Sequence, residues 1–440
     1  MEADVENLIE EPKRYRYEKH NLVVLTLDLC ACTMGLAFLD GNAILPLLLH
    51  RLGASGLLIG AFAGGRLLAF NLPQLFAARR LHGKPRVKPW FFFTAVITRV
   101  PVLLLPWLIW HAEDDAFHRR LAMVLTIAII GIWALGDGLC NVPWMEIIAR
   151  SFSNRLRGRW FTATQLITGL LALGAAALIV HPALQSSSLP FPRNYALLAL
   201  LSAIMFQISL VGVGLIKEPP PVHDDPDPLP GGRKFLKQLP QLVRNNPVFA
   251  RLATIQLLSG FGAAAAPFYV LYARFQFHNS DSWGAAYQAV QAAGLVALLP
   301  LWNWIGERRG QNAAVKGVTA ACVLAPLVAL TFGRLSPWLF SPTFAMLGGS
   351  LDWGLWLVLN HYLLTHVDSL TRPVYVALFS MLFVPAALFP VIGGTMVHRS
   401  KFTMIGPFPL LFVLTFLITA AGFLVARGLP EPGLEAEHAN

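Results

Sequence analysis

Apolar runs of about 20 residues or more, parted by short polar and basic breaks, recur along the whole chain. A run of about 20 residues crosses the hydrocarbon core of a bilayer as a helix. The runs fall at roughly 22–48, 56–78, 90–110, 121–149, 160–180, 195–216, 248–273, 284–305, 314–333, 337–365, 374–397 and 405–426. They lack the alternation of barrel strands. In lipid, a helix satisfies its backbone polar groups within the segment. The pattern predicts an all-α membrane protein with twelve transmembrane helices. Composition decides against the alternatives. Of 440 residues, 55% are hydrophobic and 13% charged, where soluble chains average about 45–50% and about 25%. That excludes one large soluble globule and a disordered chain, which needs low hydrophobicity and high charge.

A formal net charge of +10 raises nucleic-acid binding as a candidate function, and the placement of the basic residues answers it. With the N-terminus in the cytoplasm, 24 of the 34 Lys and Arg fall in inside segments and 8 in outside segments, with Arg66 and Arg99 within spans. This is the positive-inside bias. Basic flanks beside anionic lipid account for the charge, so the expected partner is the bilayer and not nucleic acid. Residues 1–20 carry Glu2, Asp4, Glu6, Glu10, Glu11 and Glu18 around their basic cluster. A secretory signal lacks such acids, so the segment reads as a cytoplasmic tail. The expected location is the plasma (cytoplasmic or inner) membrane, with both termini cytoplasmic. Cys30, Cys32, Cys140 and Cys322 all fall in spans and read as small buried hydrophobes. No metal site and no cofactor is expected.

The longest non-apolar stretch inside the chain, 217–246, holds Glu218-Pro219-Pro220-Pro221, Asp224-Asp225-Pro226-Asp227-Pro228 and Gly231-Gly232. Such density of Pro, Gly and charge reads as a linker. It gives a tail at 1–20, a six-helix bundle at 21–216, a cytoplasmic linker at 217–246, a second six-helix bundle at 247–427 and a tail at 428–440. Residues 233–244 read either as a short amphipathic surface helix or as linker. The halves resemble each other. Asp137 in span four precedes Arg157 by 20 residues, and Asp352 in span ten precedes Arg372 by 20. Arg157-Gly158-Arg159-Trp160-Phe161-Thr162-Ala163 loosely parallels Arg372-Pro373-Val374-Tyr375-Val376-Ala377. Equal spacing in equivalent spans points to a duplicated unit.

Between spans eight and nine the chain reads Asn303-Trp304-Ile305-Gly306-Glu307-Arg308-Arg309-Gly310-Gln311-Asn312. With six plus six helices, a long central linker and the loop Asn154-Arg155-Leu156-Arg157-Gly158-Arg159, the chain resembles the major facilitator superfamily over residues 21–427. That family's cytoplasmic signature is Gly-x-x-x-acid-Arg-x-Gly followed by two basic residues. Glu307, Arg308 and Gly310 match it, Asn303 replaces the leading Gly, and Gln311 and Asn312 replace the basic pair. The first-half copy, Arg79-Arg80-Leu81-His82-Gly83-Lys84, lacks the acid. The Gly-Pro signature of drug/proton antiporters is absent from span five. The resemblance implies two pseudo-symmetric six-helix bundles and a cytoplasmic latch at Glu307 and Arg308, with Gly310 as its turn. It also implies a central cavity lined by helices one, four, seven and ten.

Ionisable groups inside a membrane usually face a cavity or pair with one another. Asp28, Asp40, Arg66, Arg99, Asp137, Glu146 and Asp352 are those worth weighing. Span four sets Trp133, Asp137, Asn141 and Trp144 on one helical face, and span ten sets out Asp352, Trp356 and Asn360. The resemblance places Asp137 and Asp352 on opposing cavity walls, as carboxylates that could hold a proton or a cationic substrate. The other reading is a structural ion pair, for example Arg99 with Asp137. Asp40 and Arg66 read as a pair or as substrate contacts. Glu146 reads as a gate or capping partner of Arg150 and Arg157, with a proton site as the other reading, and Arg157 and Arg372 join the gate candidates. Gln165, Gln256, Tyr269, Gln288 and Gln291 supply amide and aromatic groups for the cavity wall.

These features lead to a secondary transporter. It would move a small solute by alternating access, with protons as candidate coupling ions, and is expected to be a monomer. Two other classes stay open: a transport-fold sensor or lipid flippase, and a membrane-embedded enzyme. No Ser/His/Asp set, metal-ligand cluster or Walker A sequence stands out, so the chain is not expected to be an enzyme.

Overall fold

The computed structural model describes residues 17–81, 84–220, 246–278, 280–366, 379, 381–399 and 407–429, and among them every regular element is helical. Ten helical stretches are long and apolar enough to cross a bilayer. They are Glu18–Phe38, Gly56–Leu81, Lys88–Trp110, Ala116–Ser151, Leu156–Gln185 and Arg193–Leu215, then Pro247–Phe277, Ser282–Arg309, Gln311–Phe332 and Phe408–Arg427. They coincide with predicted spans one to nine and twelve. In the region of span eleven the apolar helix Val384–His398 is shorter. The linker from 221 to 245, both tails beyond 17 and 429, and Arg372 lie outside the described residues.

Span one, read from the sequence as a continuous run over 22–48, is broken. The helix Glu18–Phe38 stops, and Ile44–Arg51 begins after a turn. Asp40-Gly41-Asn42 carries the reason. Asp40 Oδ1 accepts the backbone N–H of Asn42 at 2.9 Å and of Ala43 at 2.7 Å. Side-chain acceptors of this kind compete with helix continuation. Span four is longer than expected, at 36 residues. Asp115 caps it by accepting the N–H of His118 at 2.7 Å.

The described residues pack as two compact units. One comprises the described residues within 17–39, 66–175 and 188–220; the other comprises those within 40–65, 176–187 and 246–429. The first unit buries Leu25, Phe91, Ile147, Ile148, Phe152 and Val213, contributed by spans one, three, four and six. Gly35 lies beneath the Phe206 ring, and Ser202 Oγ donates to the Gly35 carbonyl at 2.7 Å. The second unit buries Leu252, Ile255, Val315, Val318, Leu359 and Tyr362. An aromatic cluster adds to it, in which Tyr287 stacks on Phe344 with centroids 4.5 Å apart.

Within the second unit, Gly56, Gly60 and Gly64 share one helical face. A Cβ at Gly60 would strike the Pro390 carbonyl oxygen, and one at Gly64 the Ala387 carbonyl oxygen. Small residues allow this close backbone approach, which is how membrane helices gain packing without a hydrophobic drive.

Candidate functional site

Predicted span ten is an interrupted helix. Pro337–Phe340 and Pro342–Met346 lead into a π-helical turn, Leu347–Asp352, and regular helix resumes over Gly354–His366. Gly348 and Gly349 make the turn fit. A Cβ on either would meet backbone oxygen of Gln291 or Gly294 in Ser282–Arg309, and a Cβ on Gly294 would meet the Ala345 carbonyl oxygen. Trp302 Nε1 donates to the Gly349 carbonyl at 3.0 Å. Such π-turns are rare and concentrate at functional sites.

Asp352 ends this turn. Its Oδ2 accepts two amide N–H groups, from Gln291 Nε2 at 3.1 Å and from Asn42 Nδ2 at 3.1 Å. Asn42 can reach it because span one breaks at Asp40. Asp352 is exposed while Gln291 is buried. The second unit thus brings together Asp352 and Gln291, both expected from the sequence, with Asn42, which was read there as part of a span. Its signal was the Asp40-Gly41-Asn42 turn.

The first unit holds a separate charged cluster. Arg99 Nη1 lies 3.3 Å from Asp28 Oδ1, with both side chains buried. Ser209 Oγ accepts from Arg99 at 2.8 Å and donates to Asp28 at 2.5 Å. The sequence suggested Asp137 as the partner of Arg99, and the structure gives Asp28 instead. Gly212 explains the approach, since its missing side chain leaves the Asp28 backbone room against span six. Asp137 is within electrostatic reach of Arg99, but among the described residues its side chain has no hydrogen-bond partner. Its flanks are Gly136 and Gly138, where a Cβ would strike Thr98 and the Phe70 carbonyl. The glycines pull span four tightly onto spans three and two and leave Asp137 half-buried.

The remaining candidates divide. Asn141 donates to Gln74 Oε1 at 3.1 Å, while Asn360 donates to the Trp356 carbonyl of its own helix at 2.8 Å. Trp133, expected on the Asp137 face, is buried against Phe206. Gln256 and Gln288 are buried, and Gln165 is half-buried. Tyr269 belongs to the aromatic cluster with Phe340, Phe344 and Phe412. Asp40 caps the turn that presents Asn42, and Arg66 belongs to the other unit. Glu146 pairs with Arg150 at 2.8 Å. Arg150 also donates to the Pro85 carbonyl at 3.0 Å and lies 3.7 Å from Glu218, whose carboxylate accepts the N–H groups of Val87 and Lys88. This network ties spans three, four and six at one end of the first unit. Glu307 and Arg308 are exposed, Arg308 lies over the Trp304 ring at 6.0 Å, and Gly310 turns the chain at φ +87°. Among the described residues no group of three or more His, Cys, Asp or Glu could hold a metal.

No protein-family profile matches the chain, and no curated protein matches its sequence. Solved structures match its shape over nearly the whole length. The peptide transporter POT in complex with alafosfalin superposes with a TM-score of 0.64 at 14% identity, over 93% of this chain and 94% of that one. The nucleoside transporter NupG gives 0.66 at 13% identity, over 93% and 99%. A bacterial homologue of the human lysosomal transporter Spinster, inward-facing and unoccupied, gives 0.59 at 15% identity, over 93% and 97%. These neighbours are transporters and not enzymes. At such identities the likeness speaks for architecture alone: the chain is an integral membrane protein with the same helical fold as these transporters.

Proposed function

We propose that the protein is a secondary transporter that moves a small solute across the plasma membrane by alternating access, coupled to protons. The arrangement around Asp352 supports this reading most directly. A carboxylate in a predicted span accepts two amide N–H groups at the end of a π-turn and is nevertheless exposed. A purely structural acid would be enclosed, as Asp28 is. Asp352 and Gln291 are assigned to the substrate. Asp137, with no described hydrogen-bond partner, is assigned to the proton. Asn141 and Gln165 are proposed to line the polar path of the first unit, and Gln256, Gln288 and Tyr269 that of the second.

The distribution of basic residues supports cytoplasmic termini. Glu307, Arg308, Gly310, Arg157 and Arg372 are then proposed gate residues. Glu146 is a brace, because its partner Arg150 stands one turn away on the same helix. The protein is proposed to work as a monomer. Proton coupling is tested by uptake or efflux in proteoliposomes with and without a pH gradient. Gradient-driven transport should be lost in Asp137→Asn, and its survival in that variant would remove Asp137 from the role.

A further inference from the structure

The connection between spans two and three carries charge that the first unit leaves unpaired. Residues 77–89 hold Arg79, Arg80, Lys84, Arg86 and Lys88 and no Asp or Glu. Lys88 is committed, since its Nζ donates to the Gly214 carbonyl at 2.7 Å. Arg79, Arg80, Lys84 and Arg86 are exposed, and among the described residues none of them forms an ion pair. Two acids that reach this end of the unit are already engaged. Glu146 pairs with Arg150, and Glu218 accepts the N–H groups of Val87 and Lys88. Arg150 in turn donates to the Pro85 carbonyl at 3.0 Å and to the Lys84 carbonyl at 3.4 Å. The main chain of the connection is thus clamped by buried Arg150 and by Glu218, while four cationic side chains stay exposed. The opposite end of span three differs. There the exposed Arg119 and Arg120 follow Glu113, Asp114 and Asp115, which are exposed as well.

Apolar surface runs on from the cations. Leu72 and Phe76 are exposed on one face of span two, and Phe93 and Ile97 on one face of span three. The Phe76 ring meets the Trp90 ring with centroids 6.1 Å apart, and Trp90 precedes Phe93 by one turn. The two faces therefore adjoin next to the cationic connection. Four cations at the polar end of an apolar seam match an amphiphile with a negative headgroup. Anionic phospholipid supplies both parts. Guanidinium and ammonium groups bind phosphate by charge-assisted hydrogen bonds, and clusters of Lys and Arg beside a membrane helix attract anionic lipid. A zwitterionic headgroup adds a positive charge beside its phosphate, which four cations disfavour.

We propose that this connection and the adjoining seam form a docking surface for an anionic phospholipid, with Arg79, Arg80, Lys84 and Arg86 on its phosphate and Phe76 and Phe93 along its acyl chains. The surface depends on membrane insertion and not on transport, so failure of either reading leaves the other intact. The test titrates the full-length protein in detergent with phosphatidylglycerol, phosphatidylcholine and soluble sn-glycerol 3-phosphate, and follows bound molecules by native mass spectrometry. Phosphatidylglycerol should bind about tenfold more tightly than phosphatidylcholine, or better. Glycerol 3-phosphate, which lacks acyl chains, should bind far more weakly. Neutralising the four cations together (Arg79→Gln, Arg80→Gln, Lys84→Gln and Arg86→Gln) should remove the preference, whereas Arg119→Gln with Arg120→Gln should leave it. Equal binding of the two lipids, a preference that survives in the folded quadruple variant, or an equal loss in the double variant would overturn the proposal. Glycerol 3-phosphate binding as tightly as phosphatidylglycerol would overturn the lipid assignment. If the quadruple variant does not fold, the parent protein decides. Raising NaCl from about 0.05 to about 0.5 M should weaken its phosphatidylglycerol binding by about tenfold through screening, and affinity that ignores salt overturns the proposal.

Discussion

Asp28 and Arg99 are buried together, and a buried pair depends on both members. Removing one leaves a charge without its partner, at about 3–5 kcal/mol, while replacing both can be nearly neutral. Arg99→Met should therefore lower thermal stability in detergent sharply. Adding Asp28→Asn should restore most of the loss, and failure of the double variant to recover would show that the pair is not the source. Both residues stood out in the sequence as intramembrane charges, but their pairing did not. Residue number gives depth along a helix, whereas Gly212 and Ser209, on a distant span, decide which side chains meet. Asp352 was likewise legible from its span, its likeness to Asp137 and its spacing to Arg372. Asn42 was not, because a run of apolar residues with one Asp-Gly-Asn turn still reads as a single hydrophobic segment.

Helix limits followed from hydropathy wherever a span was continuous, and failed where backbone chemistry broke it. Span ten is the instructive case. Gly348 and Gly349 were present in the sequence, but a π-turn depends on the backbone of Ser282–Arg309 lying close enough to require them. Gly294→Leu would force a side chain into the Ala345 backbone. It should lower the unfolding temperature and, under the proposed assignment of Asp352 to the substrate, also weaken substrate binding, because Gln291 stands three residues before Gly294 on the same helix. Intact ligand binding would show that the turn does not organise the site. The cap of span four makes a pH-dependent prediction. The N–H of His118, with a smaller contribution from its ring, holds the exposed Asp115 carboxyl below its usual range. A lowered value means that the cap stabilises at pH above the ordinary carboxylate range and is lost as pH falls through the lower folded-state value. Asp115→Ala should speed hydrogen exchange at the His118 amide at pH 6, and the difference from the parent protein should shrink below about pH 4. A difference that does not change with pH would count against a charged cap.

At the scale of the whole molecule, the recurring long apolar runs carried the fold class, an all-helical membrane protein. Shape alone linked the chain to transporters with which it shares 15% identity or less. That is the expected division, because many apolar sequences satisfy the same membrane helices, while substrate chemistry rests on a few polar side chains. The central claim is transport. It is tested most directly by counterflow in proteoliposomes carrying the purified protein, with labelled solutes outside and the same solute unlabelled inside. The account predicts transient accumulation of label, absent from empty liposomes and greatly reduced by Asp352→Asn. No accumulation of any solute by folded protein would contradict it.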